Sequence, residues 1–186
     1  MTTYAALLRG VNVGGHRKVP MAELRTVITE LGYRHVRTHL QSGNAVFSVP
    51  TTAGEPPDTG AVAAVLGRGL AERFGFAVDL LVRDHAYLRS VVADCPFPVD
   101  GVDGRHLHVT YLSERVGDDR LAGLDRAAFL PEEFRLGDRA LYLYAPEGLG
   151  RSALAAALAR PARWKGVVTT SRNWNTVTRL VEMTRD

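Results

Sequence analysis

The chain is predicted to be an α/β protein of the α+β type. The expected architecture is a duplicated pair of ferredoxin-like βαββαβ units with antiparallel sheets, plus a C-terminal helix. Three observations predict this. Apolar residues recur at strand and helix periods in the order β-α-β-β-α-β up to residue 83. The same order returns over the second half, although the halves share negligible sequence identity. The composition, 46% hydrophobic and 23% charged over 186 residues, is that of a globular chain able to bury a core.

The elements follow in order. "YAALLR", residues 4–9, reads as a strand. It runs into the glycine-rich connection "GVNVGGHRKVP". Residues 21–31 put Met21, Leu24, Val27, Ile28 and Leu31 on one helical stripe, with Pro20 at the first turn and Gly32 just past the end. "HVRTHL" and "NAVFSV" are strands joined by a tight turn at "QSGN". "TTAGEPPDTG" is a polar loop, residues 61–74 a helix and "FAVDLLV" a strand. Residues 85–94 form a linking helix closed by "CPFP". The second round is a strand at "HLHVTYL", a short helix at "DDRLAGLDRA", and a hairpin of "EFRL" and "RALYLYA" around Gly137-Asp138. It ends with a helix at "RSALAAALA", a strand at "GVVTTS", and a helix over 173–184 with Ser171 as its N-cap. The expected boundaries are 1–84, a linking segment 85–104, and 105–186.

No apolar run approaches the roughly 20 residues of a membrane span. "MTTYAALLRG" has neither the basic region nor the cleavage site of a signal peptide. The lone Cys95 has no partner for an internal disulfide. A reducing cytoplasm is the expected location. The net charge of +3 is uneven. Residues 1–49 carry six Arg and Lys against two carboxylates, and residues 158–186 the same, so each end is +4 and the middle is −5. If the ends meet, they form a basic face that favours anionic partners; the other reading is a compositional bias toward solvated arginines.

Topology places a candidate site. In a βαββαβ unit, strands 1 and 2 run the same way and strand 3 returns between them. The end of strand 1, the start of helix 1 and the strand 2–3 turn then share one end of the sheet. The loop 10–20 and the turn Gln41-Ser42-Gly43-Asn44 become neighbours, near free helix N–H groups. The loop is not a Walker A motif, because His16 rather than Lys follows Gly15, nor does it fit G-x-G-x-x-G. It offers mobile backbone with Arg9, Arg17 and Lys18 beside it, a set suited to phosphate or carboxylate. The alternative is a glycine-bent connection with solvated cations.

Three blocks, "RGVNVGGHRKVPMAEL", "QSGNAVF" and "TTSRNWNTVTRL", resemble the signature segments of the bacterial "domain of unknown function 1697" family. The resemblance spans residue 4 to about 181. It implies a cytoplasmic protein of two ferredoxin-like units and no established activity. On the family pattern the positions of interest are Arg9, Gly10, Asn12, Gly14, Lys18, Met21, Ser42, Gly43, Asn44, Arg172, Asn173 and Trp174. Where "CPFP" stands, the family typically has Asn-Pro-Phe, which argues against a nucleophile role for Cys95.

Other constellations are weaker. His106 and His108 alternate on one strand face but lack a third metal ligand. Ser42 with His16 or His39 has no nucleophile-elbow pattern around it. RNA-recognition domains share the element order, but Tyr4 and Phe47 are the sole aromatics on strands 1 and 3. Trp174 reads as a core anchor ahead of a stacking platform. The leading expectation is a binding protein for a phosphorylated or otherwise anionic small molecule, or nucleic acid. Its ligand-binding set is Arg9, Asn12, Gly14, Arg17, Lys18, Ser42, Gly43, Asn44, Arg172, Asn173 and Trp174, with no metal. The alternatives are an enzyme for an anionic substrate using Lys18 or His16 as acid or base, and a structural or protein-interaction module. The sequence names no cofactor and no oligomeric state.

Overall fold

A computed structural model describes residues 1–15, 17–51 and 55–185. The chain divides into two units, residues 1–89 with 180–186, and residues 90–179.

The first unit contains β1 (Thr2–Leu8), α1 (Met21–Glu30), β2 (Arg34–His39), β3 (Asn44–Val49), α2 (Thr59–Phe74) and β4 (Leu80–Asp84). The strands form one antiparallel sheet in the order β2-β3-β1-β4. The predicted stripe of α1 is the face that packs: Leu24 and Ile28 are fully buried, against Tyr4, Leu8 and Phe47 of the sheet and Leu66 and Leu70 of α2. Gly32, at φ 86, lets the chain leave α1 in the left-handed conformation. Helix α2 begins two residues before its predicted start. Asp58 caps it by accepting from Ala61 N at 2.9 Å. β4 begins later than predicted, because its partner β1 ends at Leu8, which pairs with Leu80. The alternate residues Ala5 and Leu7 are also fully buried, which is why β1 reads as a continuous apolar run.

The second unit repeats the plan. α3 (His85–Ala93) starts in the first unit and leads into β5 (Leu107–Leu112), β6 (Glu133–Gly137), β7 (Ala140–Tyr144), α4 (Ala153–Leu158) and β8 (Thr169–Asn173), and α5 (Trp174–Met183) starts in the second unit and ends in the first. Its sheet order is β6-β7-β5-β8, the counterpart of the first. Two expectations need correction. The helix predicted over 118–127 is replaced by two 3-10 turns, Asp118–Leu121 and Arg126–Phe129, separated at Gly123 and with Asp125 capping the second through Ala127 N. Ser171, predicted to cap the last helix, lies inside β8 with its hydroxyl 2.6 Å from that of Thr110. The cap is Asn173, whose Oδ1 accepts from Thr176 N at 3.0 Å.

The duplication extends to individual bonds. Leu8 N donates to Gly43 O in one unit, and Leu112 N to Arg139 O in the other. Asp84 ends β4 and caps α3 through Tyr87 N, as Asn173 ends β8 and caps α5. Arg83 and Arg172 occupy equivalent ladder positions, opposite Ala5 and Val109. Each donates to the carbonyl of the preceding residue. Among the described residues, no helix is long and apolar enough to cross a membrane.

Candidate functional site

The corner predicted from topology exists in the first unit. β1 stops at Leu8, Gly10 turns at φ 63, and the loop folds back so that Asn12 N donates to Arg17 O at 3.2 Å. The Asn12 carboxamide is the central tie. Its Nδ2 donates to Val19 O at 2.9 Å and to Gln41 O at 2.8 Å, and its Oδ1 accepts from Val19 N at 2.9 Å. One side chain therefore holds both ends of the loop and fastens it to the β2–β3 turn. Asn44, fully buried, closes that turn by donating from Nδ2 to His39 O at 3.0 Å and Ser42 Oγ at 2.9 Å. Gly43 sits at φ 76, and a Cβ there would lie 2.7 Å from both Leu8 Cβ and Val11 Cγ2. No other residue type fits that position.

The asparagines expected to offer hydrogen bonds to a ligand thus have their amide donors engaged by the protein, and Ser42 Oγ is an acceptor within the turn. They form the frame. What faces outward is different. Arg9, Gly14, Arg17 and Lys18 are exposed. Among the described residues, none of the three cations forms an ion pair. The Arg17 guanidinium lies 5.9 Å from the Phe76 ring centroid. Val13 and Leu40, which the sequence reading passed over, stand 69% and 58% exposed beside these cations. Leu40 is left-handed at φ 58, as are Asn12 at φ 57 and Arg17 at φ 50. For a bulky residue such as Leu this is an outlier that the surrounding ties must hold. Glu23, in the first turn of α1, is drawn away into an ion pair with Arg73 at 2.7 Å. His16, the alternative acid or base, lies outside the described residues.

The remaining predicted positions belong to the second unit. Arg172 is buried, and its Nη1 donates to Thr170 Oγ1 and Ser171 O, each at 2.8 Å. Burial pulls its guanidinium down to about 10. Asn173 is occupied as the helix cap. Trp174 is buried, with its backbone N donating to Gly104 O at 3.0 Å, the core-anchor role. Cys95 is half-buried, its thiol 3.7 Å from Phe97 O, and burial pushes its pKa up. His108 is buried with no partner for Nδ1 among the described residues, and burial lowers its pKa. Among the described residues, no group of three or more His, Cys, Asp or Glu is arranged to hold a metal ion.

Two antiparallel sheets with the same strand order, the second with 3-10 turns where the first has α1, define a duplicated ferredoxin-like protein. The family described as "Protein of unknown function (DUF1697)" matches residues 1–142, and the chain belongs to it. The solved structure of the conserved bacterial protein SP0830 from Streptococcus pneumoniae is similar over 99% of both chains, with a TM-score of 0.75 and 23% identity. No curated protein matches the chain.

Proposed function

We propose that this protein binds a phosphorylated or otherwise anionic ligand, a small molecule or a nucleic acid, at the corner of loop 10–20 and turn 40–43. The observation that carries this reading is the coincidence there of exposed cations, without an ion pair among the described residues, with a backbone held in strained, left-handed conformations. Arg9, Arg17 and Lys18 supply charge. Val13 and Leu40 supply an apolar seat for the uncharged part of the ligand. The open backbone at Gly14 allows close approach, since a Cβ there would meet nothing within 4 Å. Asn12, Ser42 and Asn44 keep the shape. The sister unit argues that the fold alone does not require this corner. Gly137 pairs with Ala140 across a turn of two residues, whereas His39 pairs with Asn44 across a turn of four. The position of buried Asn44 is held by Ala140. A bacterial cytoplasm, reducing and rich in phosphorylated metabolites, suits both the lone thiol and this ligand class.

The test is a thermal-shift screen of the whole chain against nucleotides, phosphosugars and oligonucleotides. A ligand at about 100 times its dissociation constant adds about 2.7 kcal/mol to stability. The Arg17→Ala, Lys18→Ala double variant is expected to remain folded and to lose most of that shift. For a nucleic acid, losing two phosphate contacts lowers the salt slope by about two. A folded double variant that binds as tightly as the parent, with an unchanged salt slope, refutes the reading.

A further inference from the structure

We propose that the bulged edge of the first sheet is a second binding site, distinct from the corner, that takes the phosphate group of a small phosphate-bearing molecule. The site lies in a groove of about 780 Å³ lined by Thr3, His35, Arg37, Ser48 and Arg185, among others. Its size falls within the roughly 300–1,000 Å³ of small-molecule pockets.

The bulge itself is the first argument. Arg34 pairs with Ser48 and Arg37 with Val46, so four residues of β2 face three of β3. The equivalent edge of the second unit has no extra residue, since Glu133, Phe134 and Arg135 pair one for one with Tyr144, Leu143 and Tyr142. The fold therefore does not need the bulge. It is kept in β2 with His35 in the left-handed region at φ 52, a conformation that His adopts more readily than most residues.

The bulge brings together a polar trio. His35 Nδ1 lies 3.2 Å from Ser48 Oγ, which lies 3.2 Å from Thr3 Oγ1. Thr3 and Ser48 are buried hydroxyls on paired strand positions. Their counterparts in the second unit, Leu107 and Tyr144, pair in the same register, so a pair of short aliphatic hydroxyls at this place is particular to the first unit. With its proton on Nδ1, the imidazole donates to Ser48 Oγ, and when Thr3 O–H does the same the Ser48 O–H turns to an anion in the groove.

Charge completes the site. Arg37 and Arg185, one from each basic end of the chain, line the same groove, and among the described residues no carboxylate does. Arg37 is fixed by donating from Nη2 to Met183 O at 2.6 Å, which occupies one of its five N–H groups. A guanidinium fork held in place beside hydroxyl donors matches the three terminal oxygens of a phosphate group.

The experiment is a titration of the full chain with inorganic phosphate, followed through the His35 imidazole resonances and by calorimetry. Phosphate is expected to shift those resonances saturably. The surface change Arg185→Gln, which removes charge without touching the core, is expected to weaken binding about tenfold, and Ser48→Ala, nearly equal in volume, by a similar factor. Acetate at equal concentration is expected to bind more weakly. The corner variant Arg17→Ala, Lys18→Ala separates the two sites, since it is expected to leave the His35 response unchanged. His35 resonances that do not respond to phosphate, or an affinity unaltered in both Arg185→Gln and Ser48→Ala, overturn the proposal. A response abolished only by the corner variant assigns phosphate to the corner and overturns it as well.

Discussion

Asn12→Ala separates a framing role from a ligand-binding one. The substitution deletes three hydrogen bonds of 2.8–2.9 Å. Two of them satisfy the backbone N–H and C=O of Val19, which is fully buried. Each of these two bonds is worth about 1–1.5 kcal/mol, the net bond plus part of the penalty for a buried group left unpaired. The third partner, Gln41 O, belongs to an exposed residue and turns to water, adding about 0.5 kcal/mol. Asn12 also sits at φ 57, where Ala is less tolerated than Asn by about 1 kcal/mol. The expected total is about 4 kcal/mol, a large part of the roughly 5–15 kcal/mol that stabilises a typical protein.

Urea unfolding measures this directly, and the melting temperature is expected to fall by about 8–16 °C. Asn12→Gly loses the same bonds without the left-handed penalty, so it should be milder by about 1 kcal/mol. If Asn12→Ala costs less than about 1 kcal/mol and yet abolishes binding of an anion found by the screen, the framing argument is refuted. The carboxamide would then be meeting the ligand.

Gly43→Ala meets Leu8 Cβ and Val11 Cγ2 at 2.7 Å as well as an unfavourable φ, and should cost at least about 3 kcal/mol. Gly14→Ala, with open space at φ 60, should cost only about 1 kcal/mol by the same denaturation assay. Burial holds the His108 imidazole below its ordinary 6.5, so the neutral form is favoured in the fold and the unfolded chain takes up the proton first. Stability from this group is therefore complete above about pH 6.5 and is lost as pH falls toward the lower folded value; His108→Leu should flatten the stability curve across that window. Cys95, with its raised thiol pKa, should react slowly with iodoacetamide near neutral pH in the folded protein, and Cys95→Asn should stay within about 1 kcal/mol of the parent.

Most of the architecture was legible because the apolar periodicities of α1, β3, β5 and β7 are strong and their turns carry glycine or short polar pairs. The resemblance added specificity, since the three blocks it rests on mark the loop from β1 into α1, the β2–β3 turn and the β8–α5 junction. The errors have local causes. "GVVTTSRN" continues as strand through Asn173 because β5 offers partners as far as His108, and a pairing partner distant in sequence outweighs the capping preference of Ser171. The bulge at His35 left no mark on the pattern, because β2 is an edge strand with no fully buried residue and little alternation. The exposure of Val13 and Leu40 was equally hidden, since apolar residues beside strands read as continuations of the core.

The harder distinction was between polar residues that hold the fold and those that face a ligand. Asn12, Asn44, Arg9 and Lys18 all sit in the same motif blocks, and composition treats them alike. Their partners differ. A carboxamide has two donors and an acceptor on a short stem, so in a tight loop it is drawn to backbone groups that would otherwise be buried unpaired. A lysine or arginine on an exposed loop has no such backbone claim, and its charge stays in solvent. The duplicated unit makes the same separation from another direction. Where the second sheet turns in two residues, Ala140 replaces Asn44, and where its edge runs without a bulge, Leu107 and Tyr144 replace Thr3 and Ser48. The asparagine goes with the longer turn, and the hydroxyls go with the bulge. Both departures from the common plan occur in the first unit, and both lie beside arginines that carry no carboxylate partner among the described residues. That association makes the first unit the place to look for ligand chemistry, and it predicts that anion-dependent stabilisation tracks the Arg17, Lys18 and Arg185 variants while Arg139→Gln, at the short turn of the second unit, leaves it unchanged.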